Sequence, residues 1–189
     1  NDTSVIAARL VGRRVVRVGT RGGEVGGGRV DGLYLRSVGE DWLVMLTASG
    51  RLAVGERVEL ESPDGEVVGV ELREKFGRAW RIRPECTDTA ASVLASLGRT
   101  PLPPYILKAR ARRGEEIEES DDRRWYRTTF ANPNQFGSVA APTAGLHFTD
   151  MIREKLRVGG IAETAVTLHV GEGTFRPVTA SRLEDHDMH

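Results

Sequence analysis

The chain has 189 residues, of which 39% are hydrophobic and 29% are charged, and its 27 basic and 27 acidic side chains cancel. This balance is typical of a globular protein with one large or two small domains, and it excludes a polycationic protein that coats nucleic acid. The sequence has no apolar run of about 20 residues and no apolar N-terminal stretch typical of a signal peptide, and its single cysteine, Cys86, cannot form an internal disulfide. We therefore expect a cytoplasmic protein with no membrane segment.

The basic residues are unevenly distributed. Only three of them are lysines, and a group of arginines lies among glycines between Arg9 and Arg29. A GC-rich genome accounts for abundant arginine, but the planar guanidinium also binds phosphate better than an ammonium group does. The glycine-rich segment is therefore either a solvated loop or the place where an RNA backbone binds.

The first hundred residues predict a small antiparallel β-barrel. Short runs of alternating or β-branched residues are separated by turn signals such as Pro63-Asp64-Gly65. Six strands at this spacing are typical of a barrel. The predicted strands comprise residues 5–11, 30–35, 42–47, 57–60, 67–72 and 80–82.

The hydrophobic period changes after the predicted barrel. Apolar residues at 90, 93, 94 and 97 predict a helix with Asp88 as its N-cap and Gly98 at its end. The proline-rich residues 101–106 predict an extended strap, which either packs against the protein or presents Tyr105 for stacking on a base. We interpret the charged run 110–124 as a solvated face or a mobile loop, followed by a helix at 125–130.

The last third of the chain predicts a βαβ unit. Residues 138–141 form the first predicted strand, Thr149 caps a helix that ends at Gly159-Gly160, and residues 161–170 form the second strand. Glycine-containing loops follow both strands. Because such sheets bind ligands at the carboxyl ends of their strands, we expect the functional site there.

All four histidines lie in this last third, at His147, His169, His186 and His189. A single histidine is more often structural, but four of them close to the predicted strand ends favour at least one in an active site, because imidazole exchanges protons near neutral pH. His186 and His189 have the spacing of metal ligands. No thiolate or carboxylate pattern completes a metal site, so we predict none.

The Gly171-Glu-Gly173 segment has two interpretations. It is similar to the first glycine loop of an S-adenosylmethionine methyltransferase, in which bare backbone allows close approach of the cofactor. The third glycine of a dinucleotide fingerprint is missing, and a tight turn after a strand explains the pattern equally well.

Five segments, in order along the chain, carry a more specific signal. They are Asn1-Asp-Thr, Pro-Leu-Pro-Pro-Tyr-Ile at 101–106, Gly-Ser-Val-Ala-Ala-Pro-Thr-Ala-Gly-Leu-His-Phe at 137–148, Thr-Leu-His-Val-Gly-Glu-Gly-Thr-Phe at 167–175 and Glu-Asp-His-Asp-Met-His at 184–189. Together they resemble the S-adenosylmethionine:tRNA ribosyltransferase-isomerases of queuosine biosynthesis. The resemblance is weak between residues 12 and 83, and the loops at 110–124 and 132–136 are longer than in the family.

The resemblance implies an α/β domain with an inserted antiparallel six-stranded β-barrel. It places residues 1–8 and 84–189 in the α/β domain and residues 9–83 in the barrel, and it implies that the chain is an internal fragment of a longer enzyme. That enzyme is expected to act as a monomer on the anticodon stem-loop of a tRNA carrying 7-aminomethyl-7-deazaguanine.

The reaction implied by the resemblance moves the ribosyl part of S-adenosylmethionine onto the 7-aminomethyl group and isomerises it to epoxyqueuosine, with release of adenine and methionine. S-adenosylmethionine is then a substrate, and no cofactor is expected. The four histidines are the expected proton-transfer groups. The expected substrate-binding residues are Asn1, Asp2, Thr3, Tyr105, Thr143, Gly145, Gly171, Gly173, Thr174 and Phe175, and the expected tRNA-binding residues are Arg13, Arg14, Arg17 and Arg21.

Two other functions remain as alternatives. The first is an S-adenosylmethionine-dependent methyltransferase that uses the Gly171-Glu-Gly173 loop, and the second is a non-catalytic RNA-binding barrel module.

Overall fold

The computed structural model describes residues 1–15, 17–18, 24–25, 27–116, 118–171, 182 and 184. These belong to two compact units: Ile6–Tyr126, and Asn1–Val5 together with Arg127–His189. Among the residues described, no helix is long and apolar enough to cross a membrane. The assignment of residues 84–189 and 1–8 to one domain stays a prediction.

Strands dominate the first 84 residues, and helices are more frequent after them. In chain order the strands are β1 (Ser4–Val5), β2 (Arg9–Arg14), β3 (Arg17–Val18), β4 (Glu24–Val25), β5 (Arg29–Val38), β6 (Asp41–Ala48), β7 (Arg57–Glu61), β8 (Val67–Phe76), β9 (Ala79–Pro84) and β10 (Phe136–Ser138). The α-helices are α1 (Ala90–Leu97), α2 (Pro104–Arg113), α3 (Glu119–Trp125) and α4 (Asp150–Val158).

A closed antiparallel barrel dominates the larger unit, with its strands in the order β2-β5-β6-β9-β8-β7. The pairing of β2 with β7 closes it, and Gly12 lies opposite Leu60 in that pairing. Alternate residues point inward and form the core, as the two-residue period of the sequence requires. The fully buried core side chains include Leu10, Val30, Val44, Val58, Leu60, Val70, Leu72 and Ile82.

The predicted six-stranded barrel is confirmed, but its first predicted strand is wrong. Residues 5–11 do not form one strand: Val5 belongs to a separate two-stranded sheet, and the barrel begins at Arg9. Residues 5–8 are four consecutive apolar residues, which carry no two-residue period. The chain turns between the two strands, where the Ala8 amide donates to the Ile6 carbonyl at 2.7 Å.

Helix α1 begins one residue later than predicted. Thr89, rather than Asp88, is its N-cap, and the Thr89 hydroxyl accepts a hydrogen bond from the Ser92 amide at 3.3 Å. Gly98 follows the helix as predicted. It also allows a close backbone approach, because a Cβ at this position would lie 1.9 Å from the Ala7 carbonyl oxygen.

The prediction of an extended strap at 101–106 is wrong from Pro104 onward, because helix α2 begins there. Proline is well tolerated at the first helical position, where its missing amide hydrogen has no intrahelical partner to lose. Tyr105 lies in the first turn of the helix and is 68% exposed.

The charged run 110–124 is largely helical, so its interpretation as a mobile loop is wrong, whereas its mostly exposed side chains agree with a solvated face. Helix α2 continues to Arg113, and α3 follows and ends at Trp125, where a helix was expected to begin. Arg110 donates to both carboxylate oxygens of the buried Asp122, at 2.7 and 2.6 Å. These hydrogen bonds raise the pKa of Arg110 above its ordinary value, and they join the two helices.

The smaller unit contains a parallel pair of strands and one α-helix among its described residues. Strand β1 pairs with β10, so that Ser4 lies opposite Phe136 and Val5 opposite Ser138. Helix α4 begins as predicted, with the Thr149 hydroxyl accepting from the Ile152 amide at 3.3 Å, and it ends at Gly159. The wider α/β arrangement stays a prediction.

The two strands predicted in this unit differ from those observed. The first is displaced to 136–138, and residues 161–170 form no regular strand. This second segment is nevertheless attached by separate backbone hydrogen bonds. The Asp2 amide donates to the Val166 carbonyl and the Val139 amide donates to the Val170 carbonyl, both at 3.0 Å.

Candidate active site

His169 is held by the N-terminal segment of the smaller unit. Its Nδ1 lies 2.8 Å from the hydroxyl oxygen of Thr3, within hydrogen-bonding distance. Thr3 is only 1% exposed, whereas His169 is exposed. A buried threonine therefore fixes one edge of a histidine ring that remains open to solvent.

Asn1 and Asp2 hold the residues that precede this histidine. The Asn1 side chain donates to the Leu168 carbonyl at 2.8 Å and accepts from the Leu168 amide at 3.0 Å. The Asp2 carboxylate accepts a hydrogen bond from the Thr167 hydroxyl at 2.6 Å. Residues expected to bind substrate therefore use polar groups to position the segment that carries His169.

Strand β10 supplies the next part of this site. Gly137 faces the His169 ring, and a Cβ on Gly137 would lie 3.4 Å from Nδ1. Gly137 has φ of 142°, a conformation that L side chains rarely adopt, so the backbone at this position favours glycine. The fully buried Ser138 accepts from the Val170 amide at 2.9 Å. Sequence analysis missed Ser138, although a serine beside an apolar run is a signal for such a contact.

His147 lies in the second loop predicted to carry the site. Residues Thr143–Gly145 form a short 3₁₀ helix, and the exposed His147 follows it. Its ring lies 4.7 Å from that of Phe148, which in turn packs edge-on against Phe130 at 5.2 Å. Aromatic packing therefore supports the loop and leaves the imidazole accessible.

Gly145 allows a second close approach within this loop. A Cβ on Gly145 would lie 3.1 Å from Cγ2 of Thr128, which is tighter than an ordinary contact. Thr143 is exposed at the start of the same turn. A side chain at position 145 would therefore require Thr128 to shift slightly.

A sequence profile of the family described as "Queuosine biosynthesis protein" matches residues 1–189. The chain belongs to this family. S-adenosylmethionine:tRNA ribosyltransferase-isomerases from Halothermothrix orenii, Staphylococcus saprophyticus and Trichlorobacter lovleyi are 39%, 38% and 39% identical to it. Each alignment covers 100% of this chain and 49% of the relative, so the chain spans about half the length of the curated relatives it matches. No solved structure gives a significant match.

Membership in the queuosine biosynthesis family confirms the resemblance seen in the five sequence segments. Several predicted site residues lie outside the part of the chain that the structure describes: His186, His189, Gly173, Thr174, Phe175, Arg21 and the side chain of Arg17. Gly171 is exposed, and a Cβ there would meet no described atom within 4 Å. The residues described contain no group of three or more His, Cys, Asp or Glu side chains that could hold a metal.

Of the four arginines predicted to bind tRNA, Arg13 and Arg14 have described side chains, and the two differ in exposure. Arg13 is 67% exposed and lies 3.4 Å from a carboxylate oxygen of Glu61. Arg14 is only 14% exposed; it pairs with the buried Glu56 and donates to the Ser49 carbonyl at 3.1 Å. Because the barrel itself uses the hydrogen-bond donors of Arg14, Arg13 is the one of these two that is accessible to a phosphate.

Sequence analysis also missed an open groove in the larger unit, of about 860 Å³. Its lining includes the paired Arg110 and Asp122, and Arg123 with Glu119, whose charged atoms lie 3.2 Å apart. Because cations and anions alternate here and neutralise each other, the groove does not have the character of a phosphate site.

Proposed function

We propose that this chain forms part of an enzyme that transfers the ribosyl moiety of S-adenosylmethionine to 7-aminomethyl-7-deazaguanine in a tRNA anticodon and isomerises it to epoxyqueuosine. Adenine and methionine are the other products. The family match over the whole chain and the activity named for its relatives support this class of reaction. The observation that carries the proposal is the exposed His169 ring, oriented by the buried Thr3 and two residues before Gly171 in the sequence.

The reaction requires residues that move protons. The sulfonium of S-adenosylmethionine acidifies the hydrogens on C5′, so a base near C5′ forms a stabilised ylide. Loss of adenine needs an acid, and attack of the amine followed by epoxide closure releases methionine. His169 and His147 are accessible imidazoles that suit these roles, and His186 and His189 remain candidates.

The remaining predicted residues complete the proposed substrate site. No described atom would contact a Cβ on Gly171, which supports the proposal that its backbone is accessible to a nucleoside, and Thr143 and Gly145 lie in the loop of His147. Gly173, Thr174, Phe175 and Tyr105 are proposed as further contacts to the substrate. S-adenosylmethionine is consumed as a substrate in this scheme, and no separate cofactor takes part. The enzyme is proposed to act as a cytoplasmic monomer.

Replacing each of the four histidines singly by alanine tests the catalytic proposal. We expect at least one of His147→Ala and His169→Ala to lower kcat for adenine release by about 100-fold or more, because general acid–base catalysis contributes roughly that factor. Chromatography of the reaction with S-adenosylmethionine and precursor tRNA measures adenine and methionine together. Met151→Ala, on the exposed face of α4, is the control.

Three results would contradict this function. If all four alanine variants turn over at the wild-type rate, the histidines are not the proton-transfer groups. Formation of S-adenosylhomocysteine would indicate a methyltransferase. RNA binding without consumption of S-adenosylmethionine would indicate a binding module.

Arg13 is the more exposed of the two described arginines predicted to bind tRNA, so it is proposed to bind the tRNA backbone, and Arg17 and Arg21 are proposed to extend its site. We expect Arg13→Gln to weaken tRNA binding and to reduce the slope of log affinity against log salt concentration by about 1, because one phosphate contact is lost. Fluorescence anisotropy at several salt concentrations measures this slope.

Arg157→Gln is the matched control for this experiment. Arg157 is 73% exposed and is paired with Glu154 on α4, so the charge and accessibility resemble those of Arg13. The two variants should therefore differ in their salt slopes. Equal slopes for Arg13→Gln and the wild-type protein would place the RNA elsewhere.

A further inference from the structure

The Thr3 hydroxyl lies between two hydrogen-bond partners. Its oxygen is 2.8 Å from Nδ1 of His169 and 3.5 Å from the backbone carbonyl oxygen of Gln135. Thr3 is almost completely buried, and its own amide donates to the Asn1 side-chain oxygen at 3.2 Å. The hydroxyl therefore has two possible hydrogen-bond partners among the described residues, the Gln135 carbonyl and Nδ1 of His169.

The chemistry of these partners determines where the protons lie. A hydroxyl has one proton to donate and two lone pairs, whereas a carbonyl oxygen only accepts. If the hydroxyl proton points to Gln135, the hydroxyl oxygen is free to accept a hydrogen bond from a protonated Nδ1. The histidine tautomer is then set by the hydrogen bond that one ring nitrogen makes.

We propose that Thr3 is a positioning residue that holds His169 as the Nδ1–H tautomer and leaves Nε2 as the accessible, unprotonated nitrogen. Gly137 adjoins the same edge of the ring, because a Cβ at its position would be in van der Waals contact with Nδ1 at 3.4 Å. Thr3 thus acts through His169 and does not touch the substrate. The catalytic consequence rests on the proposed function, whereas the tautomer does not.

This arrangement suits a group that accepts a proton. When Nε2 takes a proton, Nδ1 keeps its own and continues to donate to Thr3, so no hydrogen bond has to be rearranged. In the opposite tautomer Nε2 carries the proton and the hydroxyl donates to Nδ1. Protonation of Nδ1 would then require the hydroxyl to rotate, so that it no longer donates to this nitrogen. Only the proposed tautomer keeps the Thr3 contact unchanged through proton transfer.

Nitrogen-15 NMR of the intact protein, labelled at histidine, tests the proposal directly. His169 is assigned by comparison with His169→Asn. At a pH where the ring is neutral, we expect the shift typical of an unprotonated nitrogen on Nε2, the nitrogen that couples to both ring protons. Thr3→Ser should keep this pattern, and Thr3→Val should shift it towards a mixture of tautomers.

Thr129→Val is the matched control, because it makes the same chemical change at a buried hydroxyl oxygen that has no hydrogen-bond partner among the described residues. It should leave the His169 pattern unchanged. An unprotonated Nδ1 in the wild-type protein, or a wild-type pattern in Thr3→Val, would overturn the proposal.

Adenine release provides a second readout. We expect Thr3→Val to lower kcat by about 10-fold or more with little change in KM, as is typical when a residue that orients a functional histidine is lost, and Thr3→Ser to restore most of the rate. Wild-type kcat in Thr3→Val would overturn the positioning role. If the wild-type protein itself releases no adenine, the proposed function fails, while the NMR pattern still decides the tautomer.

Discussion

Replacing Gly12 by alanine is expected to lower the free energy of unfolding of the barrel by about 3 kcal/mol or more. A Cβ at this position would lie 2.1 Å from the Glu59 carbonyl oxygen and 2.9 Å from Cα of Leu60. Both atoms belong to the backbone of β7, the strand that closes the barrel against β2. Because neither can move without breaking this pairing, the clash is not relieved by a change of rotamer.

Denaturant unfolding followed by tryptophan fluorescence measures the effect, since Trp42 and Trp80 are buried in the barrel. Gly28→Ala is the matched control, because a Cβ there would lie 3.5 Å from its nearest neighbours, an ordinary contact. The midpoint should fall strongly for Gly12→Ala and little for Gly28→Ala. Equal midpoints would show that closure of the barrel does not require glycine at position 12.

Glu56→Gln is expected to destabilise the same barrel by about 3 kcal/mol, since it leaves the largely buried Arg14 without its counter-charge. The Glu56 carboxylate is 4% exposed; one oxygen accepts from Arg14 and the other from the Ala53 amide at 3.1 Å. A glutamine side chain has only one acceptor oxygen. One of these two donors would therefore face an amide NH₂ group.

Glu61→Gln provides the comparison on the same barrel. Its partner Arg13 is largely exposed, and water and salt already screen this pair, so we expect a loss of about 0.5 kcal/mol. The difference between the two variants, measured by the same unfolding experiment, isolates the effect of burial. Equal losses would mean that burial does not make the Arg14–Glu56 pair more important for the stability of the barrel than the exposed pair.

The barrel was predictable because its strands and turns are specified by residues that are close together in the sequence. The two-residue period of residues such as Leu10, Val44 and Ile82 specifies which side chains face inward, and the turns between them carry glycine or proline. Helix α4 was predictable for a similar reason, since Thr149 caps it and Gly159 ends it within ten residues.

The helices in the charged segment were not predictable from local signals. Proline suggested an extended strap, whereas Pro104 occupies the one helical turn that accepts it. The stabilising contact, between Arg110 and Asp122, joins two helices and is invisible in a pattern that shows only alternating charge. Residues 161–170 likewise have the apolar residues of a strand, yet Ile161, Val166 and Leu168 are exposed.

The histidine-bearing motifs indicated the segments that form the candidate site, but they did not indicate which side chains contact each other there. Nothing local to Thr3 indicates that its hydroxyl meets His169, and Asn1 and Asp2 were expected to bind substrate rather than the chain itself. Such pairings depend on the three-dimensional fold.

The Thr3–His169 contact also affects the order of folding, because its two residues are 166 positions apart. Closing a flexible loop of that length costs roughly 4.5 kcal/mol of chain entropy, whereas each barrel hairpin closes a short loop. During synthesis, Thr3 leaves the ribosome long before His169, and the contiguous strands from Arg9 to Pro84 are complete in between. We therefore expect the barrel to fold first and shorten the effective loop, so that the histidine is positioned only at the end of folding.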